Sequence, residues 1–202
     1  MNNPILLVCE GSSEENYIAQ LNRLFRYADS ECRVFIPYNA NSGKYPFIRN
    51  KYNEVLKSNK KQKDNIRIWL DKDLYIRDGT EESSKFNSKD YLILQCLFSL
   101  MNFEDYLVLH CMPEIVEDWQ SICESNNHFV VPMCARQYEK LFNKFISTNF
   151  GTDYRKGEVP FDLTQQRILQ LFDNLKSNKF KFENDFGIYL MNLYETNSIE
   201  FR

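Results

Sequence analysis

Three acidic residues that follow two apolar runs carry the most specific chemical signal in this chain. Glu10 follows the run Ile5–Cys9, and Asp71 and Asp73 follow the run 66–70. Each run has the length and composition of a buried β-strand. Ligands of open α/β sheets bind beyond the carboxyl ends of the strands. These three carboxylates are therefore predicted to meet at one edge of a sheet.

Carboxylates that converge in this way need a counter-charge, because each negative charge raises the pKa of its neighbours. A hard divalent cation such as Mg²⁺ supplies it and binds through oxygen ligands. Asp71 and Asp73 can address one cation, since strand residues i and i+2 share a face. The pattern predicts metal-assisted phosphoryl chemistry. Two plainer interpretations stay open: a solvated Asp-x-Asp turn, and a glutamate that simply ends a strand. The pairing of the two positions, with Gly11 after Glu10, favours the metal site.

Composition limits the classes of protein to which the chain can belong. At 202 residues with 43% hydrophobic residues, it can bury a core as one domain, or as one domain with a helical annex. The formal net charge of −3 provides no overall positive field for nucleic acid. A nucleic-acid substrate would therefore have to be held locally or through a partner protein.

Cysteine and histidine usage argues against zinc and against export. The six cysteines form no Cys-x-x-Cys pair, and the only histidines are His110 and His128, so a zinc site is not predicted. The cysteines lie mostly among apolar residues, as in proteins of reducing compartments. We see no signal peptide and no apolar run of roughly 18 residues, the length of a membrane span. We predict a cytoplasmic protein without a membrane segment.

Alternating strand and helix patterns predict an α/β fold. Apolar runs predict three strands, at 5–9, 32–38 and 66–70. Amphipathic helical patterns separate them, which implies right-handed crossovers and a mostly parallel sheet flanked by helices. Residues 91–94 predict a fourth strand or the start of a buried segment, and residues 129–131 an edge strand.

Helical periodicity dominates the last third of the chain. Three segments place apolar residues on one face: 137–149, 164–176 and 185–195. We therefore predict a catalytic domain over residues 1–135. Residues 136–202 are predicted to form a helical C-terminal extension packed on it.

Four blocks, in order along the chain, together resemble one protein family. Residues 9–17 resemble the E-G-x-(T/S)-E-x-x-Y opening of the RloB-like TOPRIM family, and residues 69–73 resemble its D-x-D strand. Residues 101–110 are similar to its N-P-x-F-E-x-W-L-L-L-H segment, and residues 154–157 resemble its Y-x-K element. The blocks span most of residues 5–157. The order Glu, then Asp-x-Asp, is that of the TOPRIM fold of topoisomerases, primases and overcoming-lysogenization-defect nucleases.

The chain departs from the family pattern in three respects. No proline follows Asn102, and Tyr106 stands where the family usually has tryptophan. The final helices match no part of the pattern. The first two departures leave the acids intact, so they bear on packing more than on chemistry.

The resemblance implies a TOPRIM-like Rossmannoid sheet and a Mg²⁺- or Mn²⁺-dependent nuclease. Such a nuclease would cleave DNA or RNA, tRNA included, in bacterial anti-phage defence, with an ABC-type ATPase as partner. Asp71, Asp73 and Glu10 would hold the metal ion, and Glu10 would also act as general acid or base. Glu104 would bind a second metal ion or orient the ligands of the first. Lys156 would neutralise a phosphate in the transition state.

Other positions carry weaker signals. Lys72 and His110 are the candidates for substrate contact. Glu104 and His110 are six positions apart, about 240° around a helix, so they do not share a face. Glu104 is costly to bury without a partner, which favours a functional role. The pattern favours a hydrogen-bonded core or helix-end role for His110 over substrate contact, and Lys156 could equally be a solvated loop lysine.

Two further functional hypotheses remain open. The chain could be a non-catalytic subunit that senses a nucleotide or a phage component through the same metal site, since fold alone does not specify function. It could also serve mainly to dock on its ATPase through the aromatic C-terminal helices. The choice between DNA and RNA, and the formation of a homodimer, are not determined by these patterns.

Overall fold

A computed structural model of the chain describes residues 3–72 and 96–202. The elements alternate through its first half and become mostly helical afterwards. In chain order they are β1 (Ile5–Cys9), α1 (Ser12–Leu24), β2 (Phe25–Tyr27), β3 (Phe35–Asn39), α2 (Tyr45–Ser58), a 3₁₀ helix (Lys60–Asn65), β4 (Ile66–Asp71), β5 (Cys96–Ser99), α3 (Phe103–Val108), α4 (Pro113–Ser125), α5 (Ala135–Phe150), α6 (Gln165–Ser177), α7 (Asp185–Glu195) and β6 (Ile199–Phe201). No helix in these two ranges is both long and apolar enough to cross a membrane.

The central sheet has the strand order β3-β1-β4-β5, and every pairing in it is parallel. The prediction of an α/β fold with a parallel sheet flanked by helices is confirmed. A separate two-stranded antiparallel sheet joins β2 to β6. The sequence patterns did not predict β6, which is only three residues long.

Apolar layers cover both faces of the sheet, which explains why β1 is apolar without alternation. Leu7 and Trp69 belong to one layer, together with residues of α1 and α3. Leu6 and Ile68 belong to the other, together with residues of α2. Successive side chains of a strand point to opposite faces, so each strand contributes to both layers.

The C-terminal helices share the larger of these two layers with the sheet. The Phe186 ring of α7 stacks on Trp69 of β4, with 4.0 Å between ring centroids. Asn184, just before α7, donates a hydrogen bond to the Ser99 hydroxyl at 2.9 Å. These contacts join residues on both sides of position 135. The division into residues 1–135 and 136–202 stays a prediction.

Two local predictions of strands meet different outcomes. The edge strand at 129–131 is wrong: Val131 N–H binds the Asn127 carbonyl at 3.0 Å in a turn, and Asn127 has a left-handed φ of 54° that breaks extended pairing. The strand at 91–94 lies outside the described residues. At the start of α1, the Glu14 carboxylate accepts a hydrogen bond from the Gly11 N–H.

Candidate functional site

β1 and β4 bring their carboxyl ends to the same edge of the sheet. The two strands are parallel neighbours, with Cys9 level with Trp69. Glu10 follows β1 directly and Asp71 is the last residue of β4, so both acids lie at this edge. The third predicted acid, Asp73, lies outside the described residues.

The side chains of Glu10 and Asp71 contact different neighbours. Asp71 Oδ2 accepts a hydrogen bond of 2.9 Å from the backbone N–H of Phe103, the first residue of α3. The Glu10 carboxylate lies against Gly43, in the loop before α2, where a Cβ would overlap it. Asp71 thus contacts the start of α3, and Glu10 contacts the loop before α2.

A third carboxylate, Glu14, is buried between acids of different elements. Its side chain is 4% exposed, and its Oε2 accepts the Gly11 N–H at 3.1 Å. Burial, then the negative charge of Glu10 and that of Glu104, raise the pKa of Glu14 from 4.5 to about 8. The loop after β1, helix α1 and helix α3 thus each contribute one member of an acidic cluster: Glu10, Glu14 and Glu104.

Glu104 lines a pocket that also contains the positively charged side chain of Lys156. Its Oε1 accepts a hydrogen bond of 2.6 Å from the Tyr154 hydroxyl. Burial raises the pKa of Glu104, while the Tyr154 hydrogen bond and the positive charge of Lys156 oppose that rise. Glu104, Tyr154 and Lys156 line one pocket of about 150 Å³, together with Asn102 and Tyr138. The predicted pair Glu104 and Lys156 therefore shares one pocket.

The segment that carries Tyr154 and Lys156 rests on the first turns of α1. Asn16 Nδ2 donates to the Gly157 carbonyl at 2.5 Å. Gly157 has a φ of 93°, a conformation that favours glycine, and a Cβ there would lie 3.3 Å from Ser12 Oγ. A glycine at this position thus lets the loop approach the helix closely and places Lys156 near Glu104.

Neither of the two predicted substrate-contacting residues lines the pocket beside Glu104. The Lys72 ammonium is 5.7 Å from the centroid of the Phe98 ring. His110 is 1% exposed; its Nε2 is 2.9 Å from the Tyr17 hydroxyl and its Nδ1 is 3.1 Å from the Leu107 carbonyl. Burial lowers the pKa of His110 to about 3, so the imidazole is neutral. Both ring nitrogens are occupied by partners within the protein.

A separate buried acid, Asp105, organises the layer behind Glu104. Four groups converge on its two oxygens: the Trp119 indole N–H at 2.8 Å, the Tyr138 hydroxyl at 2.8 Å, the Asn102 backbone N–H at 3.2 Å and His128 Nε2 at 3.2 Å. Hydrogen bonds of this number compensate for the burial of a carboxylate. Asp105 therefore connects α3 to α4, to α5 and to the turn between them.

The same neighbourhood brings ligand-type atoms together. Atoms of Asp105, Cys123 and His128 lie within 4.8 Å of one another, so this buried group could hold a metal ion. Hydrogen bonds occupy two of these residues. Met133 N–H donates to His128 Nδ1 at 3.0 Å, which leaves the proton of a neutral imidazole on Nε2, directed at Asp105. Burial also raises the pKa of the Cys123 thiol, which favours its protonated form.

Sequence reasoning did not assign a role to Glu14 or to Tyr154. The signal for Glu14 was present: it lies three, four and seven positions before apolar residues that α1 buries, Tyr17, Ile18 and Leu21. A charged residue on the apolar face of a helix is either paired or functional. The contact of Tyr154 with Glu104 joins residues 50 positions apart and has no local signature.

Comparisons with models of known protein families, with curated proteins and with solved structures found no match to this chain.

Glu14→Gln is expected to stabilise the protein at high pH in the presence of a chelator. The folded state retains the Glu14 proton between pH 4.5 and about 8, whereas the unfolded state has released it. The stability that this proton uptake provides is complete below pH 4.5 and is lost as the pH rises through 8. Glutamine keeps the acceptor for Gly11 N–H without the charge.

Urea unfolding at pH 5 and pH 8.5 measures this effect. The gain of the variant over the parent should grow by about 4 kcal/mol between the two pH values, since about three pH units separate pH 5 from the raised pKa and each corresponds to roughly 1.4 kcal/mol. Glu117→Gln, which removes an exposed carboxylate of α4, controls for net charge. Equal gains at both pH values would show that Glu14 does not titrate in the folded protein as described.

Proposed function

We propose that this chain is a phosphodiesterase of TOPRIM-like type that requires Mg²⁺ or Mn²⁺ and cleaves nucleic acid. One observation supports this above all. The buried Glu14 and the half-buried Glu10 and Glu104 form an acidic cluster at the carboxyl edge of a parallel sheet, where Asp71 also ends its strand. The cluster adjoins a pocket that contains Lys156.

The donor set fits a hard divalent cation. Glu10, Asp71, Glu14 and Glu104 offer only carboxylate oxygens, the ligands that suit Mg²⁺ and Mn²⁺. Burial, and then the repulsion by neighbouring carboxylates, raise the pKa of Glu14, and a cation would relieve that repulsion. When bound, the cation would polarise the phosphate and lower the pKa of an attached water. Asp71 and Glu10, with Asp73 as the resemblance implies, would hold it.

The protein's own residues would divide the remaining work. Lys156 would bind a non-bridging oxygen of the scissile phosphate, since it lines the pocket and its positive charge lowers the pKa of Glu104. Glu104 is held by the Tyr154 hydroxyl at 2.6 Å, so its orientation is set before substrate arrives. Its pKa, raised by burial, suits a group that keeps its proton more readily than an ordinary glutamate and would deliver it to a leaving oxygen.

The pocket volume favours a polymer substrate that lies across the surface. A cavity of about 150 Å³ accepts a phosphate with part of its sugar and cannot enclose a whole nucleotide with its neighbours. The net charge of −3 predicts weak binding of nucleic acid by the chain alone. A partner that supplies positive surface would complement it. An ABC-type ATPase in anti-phage defence is the partner that the RloB-like resemblance suggests.

A cleavage assay tests the proposal. Purified protein is incubated with supercoiled plasmid, single-stranded RNA and tRNA, each with Mg²⁺, Mn²⁺ or EDTA. We expect nicking or cleavage of at least one substrate with Mn²⁺ or Mg²⁺, and its complete loss in EDTA. Cleavage that continues in EDTA would refute a role for the acidic cluster as a cation site.

The same assay separates the proposal from its alternative. A non-catalytic subunit that senses a nucleotide or a phage component would use the same acids to hold the cation. For that function, Mn²⁺ should raise the melting temperature of the protein while all three nucleic acids stay intact. A complex reconstituted with the ATPase partner would then be the decisive sample. Cleavage by this complex, where the isolated chain cleaves nothing, would restore the nuclease proposal.

A further inference from the structure

A second pocket, of about 210 Å³, lies between the end of α3 and the start of α6. It shares no lining residue with the pocket beside Glu104. Its lining residues are His110, Met112, Thr164, Gln166, Arg167 and Gln170. None of these described residues is acidic. The volume is about seven times the roughly 30 Å³ that one water molecule occupies in the liquid.

Arg167, the positively charged residue of this pocket, packs against two aromatic rings. The Arg167 guanidinium carbon is 4.3 Å from the centroid of the Phe161 ring and 5.5 Å from that of Phe150. Rings of this kind fix the plane of a guanidinium and leave its N–H fork available. Within residues 3–72 and 96–202, the ion pairs found do not include Arg167.

Two side chains that interact with the Arg167 charge, Cys111 and His110, are neutral. Burial raises the pKa of the Cys111 thiol to about 11, and the charge of Arg167, which hydrogen-bonds to this thiol, opposes that rise. The same charge helps to keep the His110 imidazole neutral. A guanidinium in a partly buried pocket, with no carboxylate partner in the part of the chain that the structure describes, leaves a positive charge to be compensated by a ligand.

The remaining polar groups suit an anion with several oxygens. The Thr164 oxygen accepts the Arg167 backbone N–H at 3.3 Å, so its hydroxyl proton is free to donate. Gln166 is exposed and adds an amide. Gln170 uses its Nε2 on Asn174 at 3.2 Å, which fixes its side chain along the wall. His110 lines the pocket without binding the anion, because both of its ring nitrogens already have partners.

We propose that this pocket binds a phosphate group, with Arg167 as its charged ligand and Thr164 and Gln166 as additional donors. A guanidinium fork matches two phosphate oxygens at once, and a phosphate has a third oxygen for the neutral donors. The phosphate belongs either to a nucleic-acid strand or to a free nucleotide. The proposal goes beyond the cleavage chemistry and does not depend on it, since it involves none of the acids of the cluster.

The test measures binding of inorganic phosphate by NMR chemical-shift titration, with EDTA present so that no cation at the acidic cluster can contribute. The parent should show saturable shifts in residues 164–170. Arg167→Met keeps the stem over the two rings but removes the charge, and should weaken binding by about tenfold or more, the range of a charge-assisted hydrogen bond. Unchanged binding by this variant would overturn the proposal, as would the absence of saturable shifts in the parent.

A matched pair of charge variants covers the case in which Arg167→Met does not fold. Gln166→Glu places a carboxylate in the pocket, whereas Gln165→Glu places the same charge one residue away, outside the lining. Both positions are exposed and in the first turn of α6, so effects on the helix are alike. Gln166→Glu should weaken phosphate binding several-fold more than Gln165→Glu; equal effects would contradict the assignment.

Adenosine monophosphate and a short single-stranded oligonucleotide identify the source of the phosphate. Oligonucleotide affinity at least about tenfold above that of inorganic phosphate, and lost in Arg167→Met, assigns the pocket to a strand. If the oligonucleotide binds no more tightly than inorganic phosphate and adenosine monophosphate binds clearly more tightly, the pocket is assigned to a free nucleotide. If neither probe competes with inorganic phosphate at residues 164–170, the proposal fails for both sources.

Discussion

Asp105→Ala is expected to lower the free energy of unfolding by at least about 4 kcal/mol. The substitution leaves the indole of Trp119, the hydroxyl of Tyr138 and the imidazole of His128 without their acceptor inside the protein. Each buried donor that loses its partner costs about 1–3 kcal/mol. Since domains are stable by only about 5–15 kcal/mol, a large part of the population should unfold.

Urea unfolding followed by circular dichroism and by tryptophan fluorescence measures this loss. Trp119 is one of only two tryptophans, so its fluorescence reports directly on the Asp105 site. Asp118→Ala, which removes a neighbouring but exposed carboxylate of α4, should change stability by less than about 0.5 kcal/mol. Parent-like stability of Asp105→Ala would mean that the four hydrogen bonds contribute nothing net.

The same experiment distinguishes a hydrogen-bonded network from a metal site. Asp105, Cys123 and His128 could hold a metal ion. If they hold none in solution, as their hydrogen bonds indicate, EDTA should leave the unfolding midpoint of the parent unchanged. A lower midpoint in EDTA that is restored by Zn²⁺ would assign a structural metal to this group.

Asp71→Asn is expected to reduce cation-dependent cleavage by about 100-fold or more while the protein stays folded. Asparagine keeps an oxygen that can accept the Phe103 N–H, which Asp71 binds at 2.9 Å, so the first turn of α3 should keep its position. What the substitution removes is a negative charge at the sheet edge. Loss of one charged group that stabilises a transition state costs roughly 10²–10³ in rate.

Single-turnover cleavage at several Mn²⁺ concentrations separates the two ways in which Asp71 could act. A ligand of the cation should show a raised Mn²⁺ requirement, with part of the rate recovered at high Mn²⁺. Glu117→Gln, remote and exposed on α4, should cleave like the parent. If Asp71→Asn cleaves as fast as the parent at every Mn²⁺ concentration, the activity does not come from this site.

Much of the frame was predictable because its signals are local. The apolar runs of β1 and β4, and the amphipathic periodicity of α5, α6 and α7, depend only on neighbouring residues. Parallel neighbours then had to bring Glu10 and Asp71 to one edge. The wrong edge strand at 129–131 shows the limit: three apolar residues do not outweigh the left-handed turn at Asn127.

The composition of the site was less predictable, because it depends on contacts between distant segments. Helical geometry predicted that Glu104 and His110 would not share a face, although α3 in fact ends at Val108, before His110. Only the packed structure shows that His110 faces Tyr17 in the core, 93 positions away, and that Glu104 faces Tyr154. These partners depend on which helices pack against a given element, and no local sequence pattern indicates that packing.

The sequence by itself determined the parallel α/β frame and the acids at its carboxyl edge, since strand direction and residue type are enough to place them. The tertiary structure decided which acids cluster. It added Glu14 to Glu10 and Glu104, turned Asp71 toward α3, and made Asp105 the centre of a hydrogen-bonded network. The physical reason is that a buried carboxylate is tolerated only where folding supplies donors or a cation, and both come from elsewhere in the chain.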